Sequence, residues 1–269
     1  MLNDIKLKIY IIKYNMKNII LFDVDGTLTL SRQKINYKMK NFINKISLNS
    51  KIDIGIVGGS DYDKQIEQLE LDTLKHFKYI FSENGLNSFE DGIEFHKQSL
   101  TTHLGEYSYC KLINIILAEL SKIDNPIKRG TFIEYRNGML NVSPIGRNCN
   151  DEERKLFFEQ DDKYKWREIL ISNIKKKISI NQWYEQISVT NLKFSIGGQI
   201  SFDIFPEGWD KTYCLQFLQN KYDKIFFIGD KTDLGGNDYE IFNHPDVIGY
   251  KTKNPDNTIE IVNNILKSN

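Results

Sequence analysis

Asp23 and Asp25 stand two apart in Asp23-Val24-Asp25-Gly26-Thr27, directly after the apolar run Ile19-Ile20-Leu21-Phe22. Two carboxylates this close ionise together only when a cation lies between them or one keeps its proton. Mg²⁺ suits such an all-oxygen site, because it takes few protein ligands and leaves room for phosphate and water oxygens. A carboxylate is also a recognised covalent nucleophile. Gly26 allows a tight turn and a close approach of backbone to a phosphate. Ser60 follows Gly58-Gly59 at an expected helix start, where free N–H groups and a hydroxyl suit an anion. Lys211, beside Asp210, is a candidate point charge for a transferring group, and Asp230 supplies a third carboxylate after Gly229. Taken singly, each motif has a plainer alternative: a solvated turn or calcium-like loop for Asp-Val-Asp-Gly, a helix cap for Gly-Gly-Ser, a strand end for Gly-Asp. What unites the three strand-end motifs is that each follows an apolar run in the same sense.

Those runs must be the elements that position the site. Ile19–Phe22 leads into Asp23, Ile52–Val57 into Gly58-Gly59-Ser60-Asp61, and Ile225–Ile228 into Gly229-Asp230. Tyr79-Ile80-Phe81 is a fourth candidate. Continuous apolar runs without alternation predict parallel strands covered on both faces. Helical patterns lie between them, and open α/β sheets bind ligands beyond the carboxyl ends of their strands. The middle of the chain changes character. Asn137-Gly138 sits between two strand-like runs, a strong hairpin signal. A second hairpin is predicted at Leu192–Phe205, turning at Gly197-Gly198. Between them, Asn150 with Glu153 three residues on resembles a capping box that opens a charged helix. The fold class is therefore α/β: a parallel-sheet core, interrupted by an inserted α+β cap with an antiparallel sheet. The predicted boundaries are a leader or extra strand over 1–17, a core over 18–96 and 206–269, and a cap over 97–205.

Thirty-six basic residues balance thirty-six acidic ones, so no net field recruits nucleic acid or an anionic membrane. Cys110, Cys149 and Cys214 form no Cys-x-x-Cys pair and read as reduced thiols of a cytoplasmic protein. Ile9–Ile12 is apolar but interrupted by nearby lysines, too short to span a bilayer and wrongly ordered for a signal peptide. Neither a membrane nor a nucleic-acid partner is expected.

Asp23-Val-Asp-Gly-Thr-Leu-Thr29, Ser60, Lys211 and Gly229-Asp230 together resemble the four motifs of the haloacid dehalogenase-like (HAD) superfamily. The resemblance implies a HAD-like, Rossmannoid core. It makes Asp23 the nucleophile that becomes an aspartyl phosphate and Asp25 the general acid/base. It places Ser60 and Lys211 on the phosphoryl oxygens and assigns Mg²⁺ to Asp23, Asp25 and Asp230.

The insert carries the substrate choice. Arg136 lies beside the Asn-Gly turn, Arg147 follows Ser143-Pro-Ile-Gly146, and Arg154 falls in the opening turn of a helix. A cation there opposes the helix dipole by roughly 0.3–1 kcal/mol, which makes sense if it meets an anion, and guanidinium groups match phosphate well. Ser201 and Asp203 share one strand face, where a hydroxyl beside a carboxylate could read sugar hydroxyls. Surface arginines and an exposed strand face are the plainer reading of the same residues. The segments Arg129–Arg147, Phe194–Asp203 and Gly229–Asp238 are similar to the cap and core of eukaryotic-type phosphomannomutases, with similarity running from about Asn18 to the C-terminus. This resemblance implies interconversion of mannose 6-phosphate and mannose 1-phosphate through a hexose 1,6-bisphosphate activator, feeding GDP-mannose. Arg32, Arg136, Arg147, Arg154, Ser201 and Asp203 would bind the sugar phosphate, and the cap would form a homodimer. A HAD-type sugar-phosphate phosphatase is the alternative. Three features depart from the family pattern. They are the leader, the Lys- and Ile-rich segment 159–186, and His244, which stands where the family's auxiliary cation loop places an acid, so a second metal is not expected there.

Overall fold

The computed structural model describes residues 17–180 and 192–268. The leader, except Lys17, and the end of the 159–186 segment lie outside the described residues. In chain order the elements are β1 (Asn18–Phe22), α1 (Tyr37–Ser47), β2 (Ile52–Val57), α2 (Tyr62–Leu69), α3 (Leu71–Leu74), β3 (Tyr79–Ser82), β4 (Asn87–Glu90) and β5 (Ile93–Lys97). There follow α4 (Leu100–Leu104), α5 (Glu106–Leu120), β6 (Ile133–Arg136), β7 (Met139–Val142), α6 (Asp151–Tyr164), α7 (Trp166–Ile180), β8 (Leu192–Gly197) and β9 (Ser201–Pro206). A 3₁₀ segment (Lys211–Phe217), β10 (Ile225–Gly229), α8 (Tyr239–Phe242), β11 (Val247–Lys251) and α9 (Pro255–Ser268) complete the chain. It divides into two compact units, one built from the described residues up to Lys97 and from Gly208 onward, the other from Gln98–Glu207.

The first unit is a seven-stranded sheet in the order β11-β10-β1-β2-β3-β4-β5. β11 through β3 run parallel, as the apolar runs predict for β10, β1, β2 and β3; β11 is a fifth parallel strand outside those runs, and β1 lies between β10 and β2. Every residue of β10 is buried, as are Ile19–Phe22 of β1. One cluster covers one face, with Ile20, Phe22, Ile54, Ile56, Phe226 and Ile228 meeting Met39, Ile43, Val262 and Ile265 from α1 and α9. On the other face Ile19, Leu21, Val57 and Phe227 meet Cys214, Leu215 and Leu218. Covering both faces removes the alternation that a half-solvated strand would show. The antiparallel extension by β4 and β5 is not marked in the sequence by an apolar run. Most of β5 is exposed, as befits an edge strand that buries little.

The second unit is a four-stranded antiparallel sheet in the order β6-β7-β9-β8, accompanied by α4–α7. Asn137-Gly138 makes a two-residue turn, since Arg136 pairs with Met139. Gly197 pairs with Ser201, closing the second hairpin over three residues. The capping box is present: Asn150 Oδ1 accepts from the Glu153 N–H at 2.9 Å, and Glu153 Oε2 accepts from the Asn150 N–H at 3.0 Å. At the junction of α6 and α7 a buried ion pair joins Asp161 to Arg167 Nε at 2.6 Å. Arg167 also donates to the Gly198 and Ser201 carbonyls, tying that junction to the second hairpin.

Candidate active site

The carboxyl ends of β10, β1 and β2 lie side by side, so topology alone gathers Asp230, Asp23 and Ser60 along one sheet edge. Asp23 is buried, with its N–H bonded to the Ile228 carbonyl at 2.9 Å. Its Oδ1 accepts from Lys211 Nζ, which also donates to Asp238 Oδ1 at 2.5 Å. Lys211 is 1% exposed and Asp238 fully buried. Asp238 Oδ2 in turn accepts from the Lys231 N–H at 2.9 Å, which fixes the carboxylate in place. One oxygen each of Asp23, Asp230 and Asp238 fall within 4.8 Å of one another.

Three carboxylates and one ammonium leave a formal excess of two negative charges. Burial raises Asp23 to about 6 against the downward pull of Lys211, and the Asp238 carboxylate adds to the rise. Asp230 is also raised, chiefly by burial and further by Asp238, against the opposing charges of Lys231 and Lys211. Burial opposes the charge of Lys211, but Asp23 and Asp238 more than offset it and hold its ammonium above the ordinary range. Asp230 Oδ1 is buried with no hydrogen-bond partner among the described residues. A buried carboxylate oxygen without a donor is costly. An all-oxygen set with a surplus of negative charge and one orphaned oxygen fits a hard divalent cation such as Mg²⁺.

Gly26 is required here for two reasons. Its φ is +79°, and a Cβ at this position would run into the Asp230 carboxylate. Asp25 is not one of the three acids that fall together, and its carboxylate has partners of its own: its Oδ1 accepts from the Arg32 N–H at 2.6 Å and from Gln68 Nε2 at 2.9 Å. Arg32 adopts a left-handed φ of +59° at this contact and its side chain is exposed. Ser60 immediately precedes Asp61, which caps α2 by accepting from the Lys64 N–H at 2.8 Å. The Ser60 carbonyl accepts from the Glu83 N–H at 2.9 Å, holding the loop after β2 against that after β3.

The second unit gathers the other predicted residues. Ser201 and Asp203 share one face of β9, while Phe202 and Ile204 are buried on the other. Asn141 on β7 links them, its Nδ2 donating to Ser201 Oγ at 3.0 Å and to Asp203 Oδ1 at 2.7 Å. Its Oδ1 accepts from Arg147 Nη1 at 2.6 Å. Arg147 is placed by backbone: its N–H meets the Thr131 carbonyl at 3.1 Å, and Gly146 (φ +89°) lies so close to Gly130 that no Cβ fits. Glu134 pairs with Arg136 and Arg147 at 2.6 and 3.3 Å. Arg154 lies four residues past the Asn150 cap, and its guanidinium makes no hydrogen bond or ion pair to a described residue. Arg129, not Arg154, takes up Glu153.

Asp238, Gln68, Asn141 and Glu134 are the groups that residue-by-residue reading passes over. Asn141 and Glu134 had a signal, because counting back from the two-residue Asn-Gly turn places them opposite each other. Asp238 had one only in its place at the end of the Gly229–Asp238 segment. Gln68 had none. His244 Nδ1 accepts from the Asp246 N–H at 3.3 Å.

Comparison with known proteins bears directly on this arrangement. The family model described as eukaryotic phosphomannomutase matches residues 39–268. The chain is 47% identical over 254 residues to a Dictyostelium discoideum protein named phosphomannomutase 2, covering 94% of this chain and 98% of that one. It is 51% identical over 241 residues to a phosphomannomutase of Arabidopsis thaliana, covering 90% and 93%. Among solved structures, a haloacid dehalogenase-like hydrolase from Bacteroides thetaiotaomicron shares the fold, with a TM-score of 0.55, 13% identity, and coverage of 93% and 99%. Family model and relatives span both units of the chain, which belongs to the eukaryotic phosphomannomutase family.

Proposed function

We propose that this enzyme interconverts mannose 6-phosphate and mannose 1-phosphate by intramolecular phosphate transfer through a hexose 1,6-bisphosphate and an aspartyl phosphate on Asp23. The observation that carries the reading is the set of buried Asp23, Lys211 and Asp238 with half-buried Asp230, its surplus of negative charge and its orphaned Asp230 oxygen. Asp23 attacks phosphorus of the bisphosphate; the P–O bond to the sugar breaks as the P–O bond to Asp23 forms. Asp25 gives its proton to the departing sugar oxygen and takes one back when the other hydroxyl of the monophosphate attacks the aspartyl phosphate. Two donors on Oδ1 hold Asp25 in one rotamer for this work. Lys211 and Ser60 bind the equatorial oxygens of the moving group. Asp23 and Asp230, with Asp238 and the Asp25 backbone, would hold Mg²⁺, whose contribution is to neutralise charge on the phosphoryl oxygens.

Substrate recognition falls to the residues around 97–205 that act as a cap, together with Arg32. Arg136, Arg147 and Arg154 take the phosphate that is not reacting, while Ser201 and Asp203 read sugar hydroxyls. Free cysteines throughout the described residues suit the cytoplasm and a role in GDP-mannose supply. A homodimer through the cap is supported by an apolar groove of about 470 Å³ lined by Ile113, Leu117, Phe132 and Tyr135, two of which are exposed large side chains.

Phosphorus NMR of the enzyme with Mg²⁺, mannose or glucose 1-phosphate and catalytic bisphosphate tests the reaction. The expected product is the 6-phosphate. Free phosphate alone would overturn the mutase reading in favour of a phosphatase. Arg154→Ala should raise KM by roughly tenfold or more, the scale of one lost charge-assisted contact, with Mg²⁺ affinity unchanged by calorimetry. An unaltered kcat/KM returns Arg154 to the ordinary surface.

A further inference from the structure

The two-residue turn between β6 and β7 sets a register in which Glu134 lies opposite Asn141, and Asn141 lies opposite Asp203 on β9. Glu134, Asn141 and Asp203 thus form one row across three strands, with Arg136 two residues from Glu134 on the same face. The Glu134 carboxylate is spread over two arginines. Its Oε2 accepts from Arg136 Nε at 2.8 Å and Nη2 at 2.6 Å, and its Oε1 lies 3.3 Å from Arg147 Nε. A planar anion shared between two guanidinium forks is the arrangement a phosphate would take on the same pair. All three side chains remain between 33% and 43% exposed, so an anion from solution can reach them. Asn141 plays a different part: it is buried, and its grip on Arg147 Nη1 does not involve Glu134.

We propose that Glu134 tunes phosphate binding by the cap, as an internal anion that competes with substrate phosphate for Arg136 and Arg147. This rests on the assignment of those arginines to the non-reacting phosphate. The physical need follows from the cycle. A bisphosphate that must present each end in turn to Asp23 has to leave the cap arginines once per turnover. Two guanidinium groups with no other partner would hold a dianion in its ground state, which lowers KM without speeding the chemistry. With Glu134 between them, phosphate binding is an exchange of one anion for another, and release leaves neither arginine unpaired. Asn141 keeps Arg147 aimed during the exchange.

The test uses the full-length protein in EDTA, where the acidic trio repels anions, with inorganic phosphate as the calorimetric probe. Arg136→Ala and Arg147→Ala must weaken phosphate binding. If neither does, the cap assignment and this inference both fall. Given that result, Glu134→Gln should tighten phosphate about tenfold, the scale of removing one partly solvated charge beside the site. With Mg²⁺ and mannose 1-phosphate, the same variant should show KM and kcat falling together. Glu134→Asp keeps the charge but withdraws it by one methylene, and should show the same change in smaller measure, which also serves if the Gln variant folds poorly. Phosphate affinity that is unchanged or weaker in folded Glu134 variants, with the arginine variants impaired, overturns the competitor role alone and leaves Glu134 as an orienting partner.

Discussion

The parallel sheet carries a carboxylate problem at each end and solves the two in opposite ways. At the carboxyl edge, Asp23, Asp230 and Asp238 crowd around one lysine, and burial raises Asp23 and Asp230. At the amino edge, Asp53, the second residue of β2, lies in a ring of donors: Lys17 Nζ at 2.9 Å, Tyr222 Oη at 2.8 Å and Lys78 Nζ at 3.5 Å. Burial opposes the charge there too, but the hydrogen bonds from Lys17 and Tyr222, together with the charges of Lys78 and Lys17, outweigh it and hold Asp53 below the usual carboxylate range. One residue type on neighbouring strands of one sheet therefore meets opposite fates. An edge that is complete in itself contributes to folding. An edge left with surplus charge is completed only by what binds to it, and that incompleteness is its function.

Three substitutions would break or sharpen this contrast. Asp23→Asn has the largest expected effect: turnover should fall by roughly 10⁴-fold or more, and no labelled phosphoenzyme should form. A labelled intermediate that survives the change would mean another residue is the nucleophile. The same variant reports on stability. A carboxyl whose folded pKa lies above its unfolded value contributes stability that is full below the unfolded value and lost as pH rises through about 6. The metal-free Asn variant, which does not ionise, should therefore melt higher than the parent at pH 7.5, with the gap closing by pH 4. A lower melting temperature at pH 7.5 would show that the carboxyl edge is not strained by its charge.

Gly26→Ala comes next. The added methyl meets both a left-handed φ and the Asp230 carboxylate, so Asp230 must move. A displacement of about an ångström at the site should cost on the order of 10²-fold in turnover and weaken Mg²⁺ binding by calorimetry. Wild-type metal affinity would show that Asp230 is not a ligand.

Asp53→Asn should have the smallest effect and the opposite character. Because Asp53 is lowered, its stabilisation is present above the unfolded value and lost as pH falls through the folded one. The variant should lose about 1 kcal/mol at neutral pH, in keeping with a pair that still reaches solvent, and progressively less as the pH falls below the ordinary carboxylate range. Its kcat/KM should be that of the parent. A catalytic defect would mean that the two edges of the sheet are coupled.

Much of this was legible because burial leaves a local trace. Ile19–Phe22 and Ile225–Ile228 are apolar throughout and Ile52–Val57 is apolar but for Asp53, since both faces of each strand are covered, and each run leads within three residues to a candidate site residue. Asn137-Gly138 set a register, and Asn150 with Glu153 set a helix start. β5 left no such trace, because an edge strand that buries little needs no apolar run, and β4, which lies between β3 and β5, is too short and mixed in Asn87-Ser-Phe-Glu90 to show one. Asp25 shows the limit at the site itself. Spacing pairs it with Asp23, but Arg32 and Gln68 hold its carboxylate, and the third acid beside Asp23 and Asp230 is Asp238.

By itself, the sequence determined which short segments become buried strands, what polar groups stand at their ends, and where two hairpins turn, because these follow from hydrophobic pattern and turn chemistry within a few residues. Only the tertiary structure decided which charges share a volume. Lys211 is separated from Asp23 by 188 residues, yet they form one buried pair. Asp238 joins them through the loop after β10, and Glu134 meets Arg147 through the packing of Gly146 on Gly130. Electrostatic interaction depends on distance and burial in space, not on separation along the chain, so the surplus charge that defines the site exists only once the sheet has brought its strand ends together.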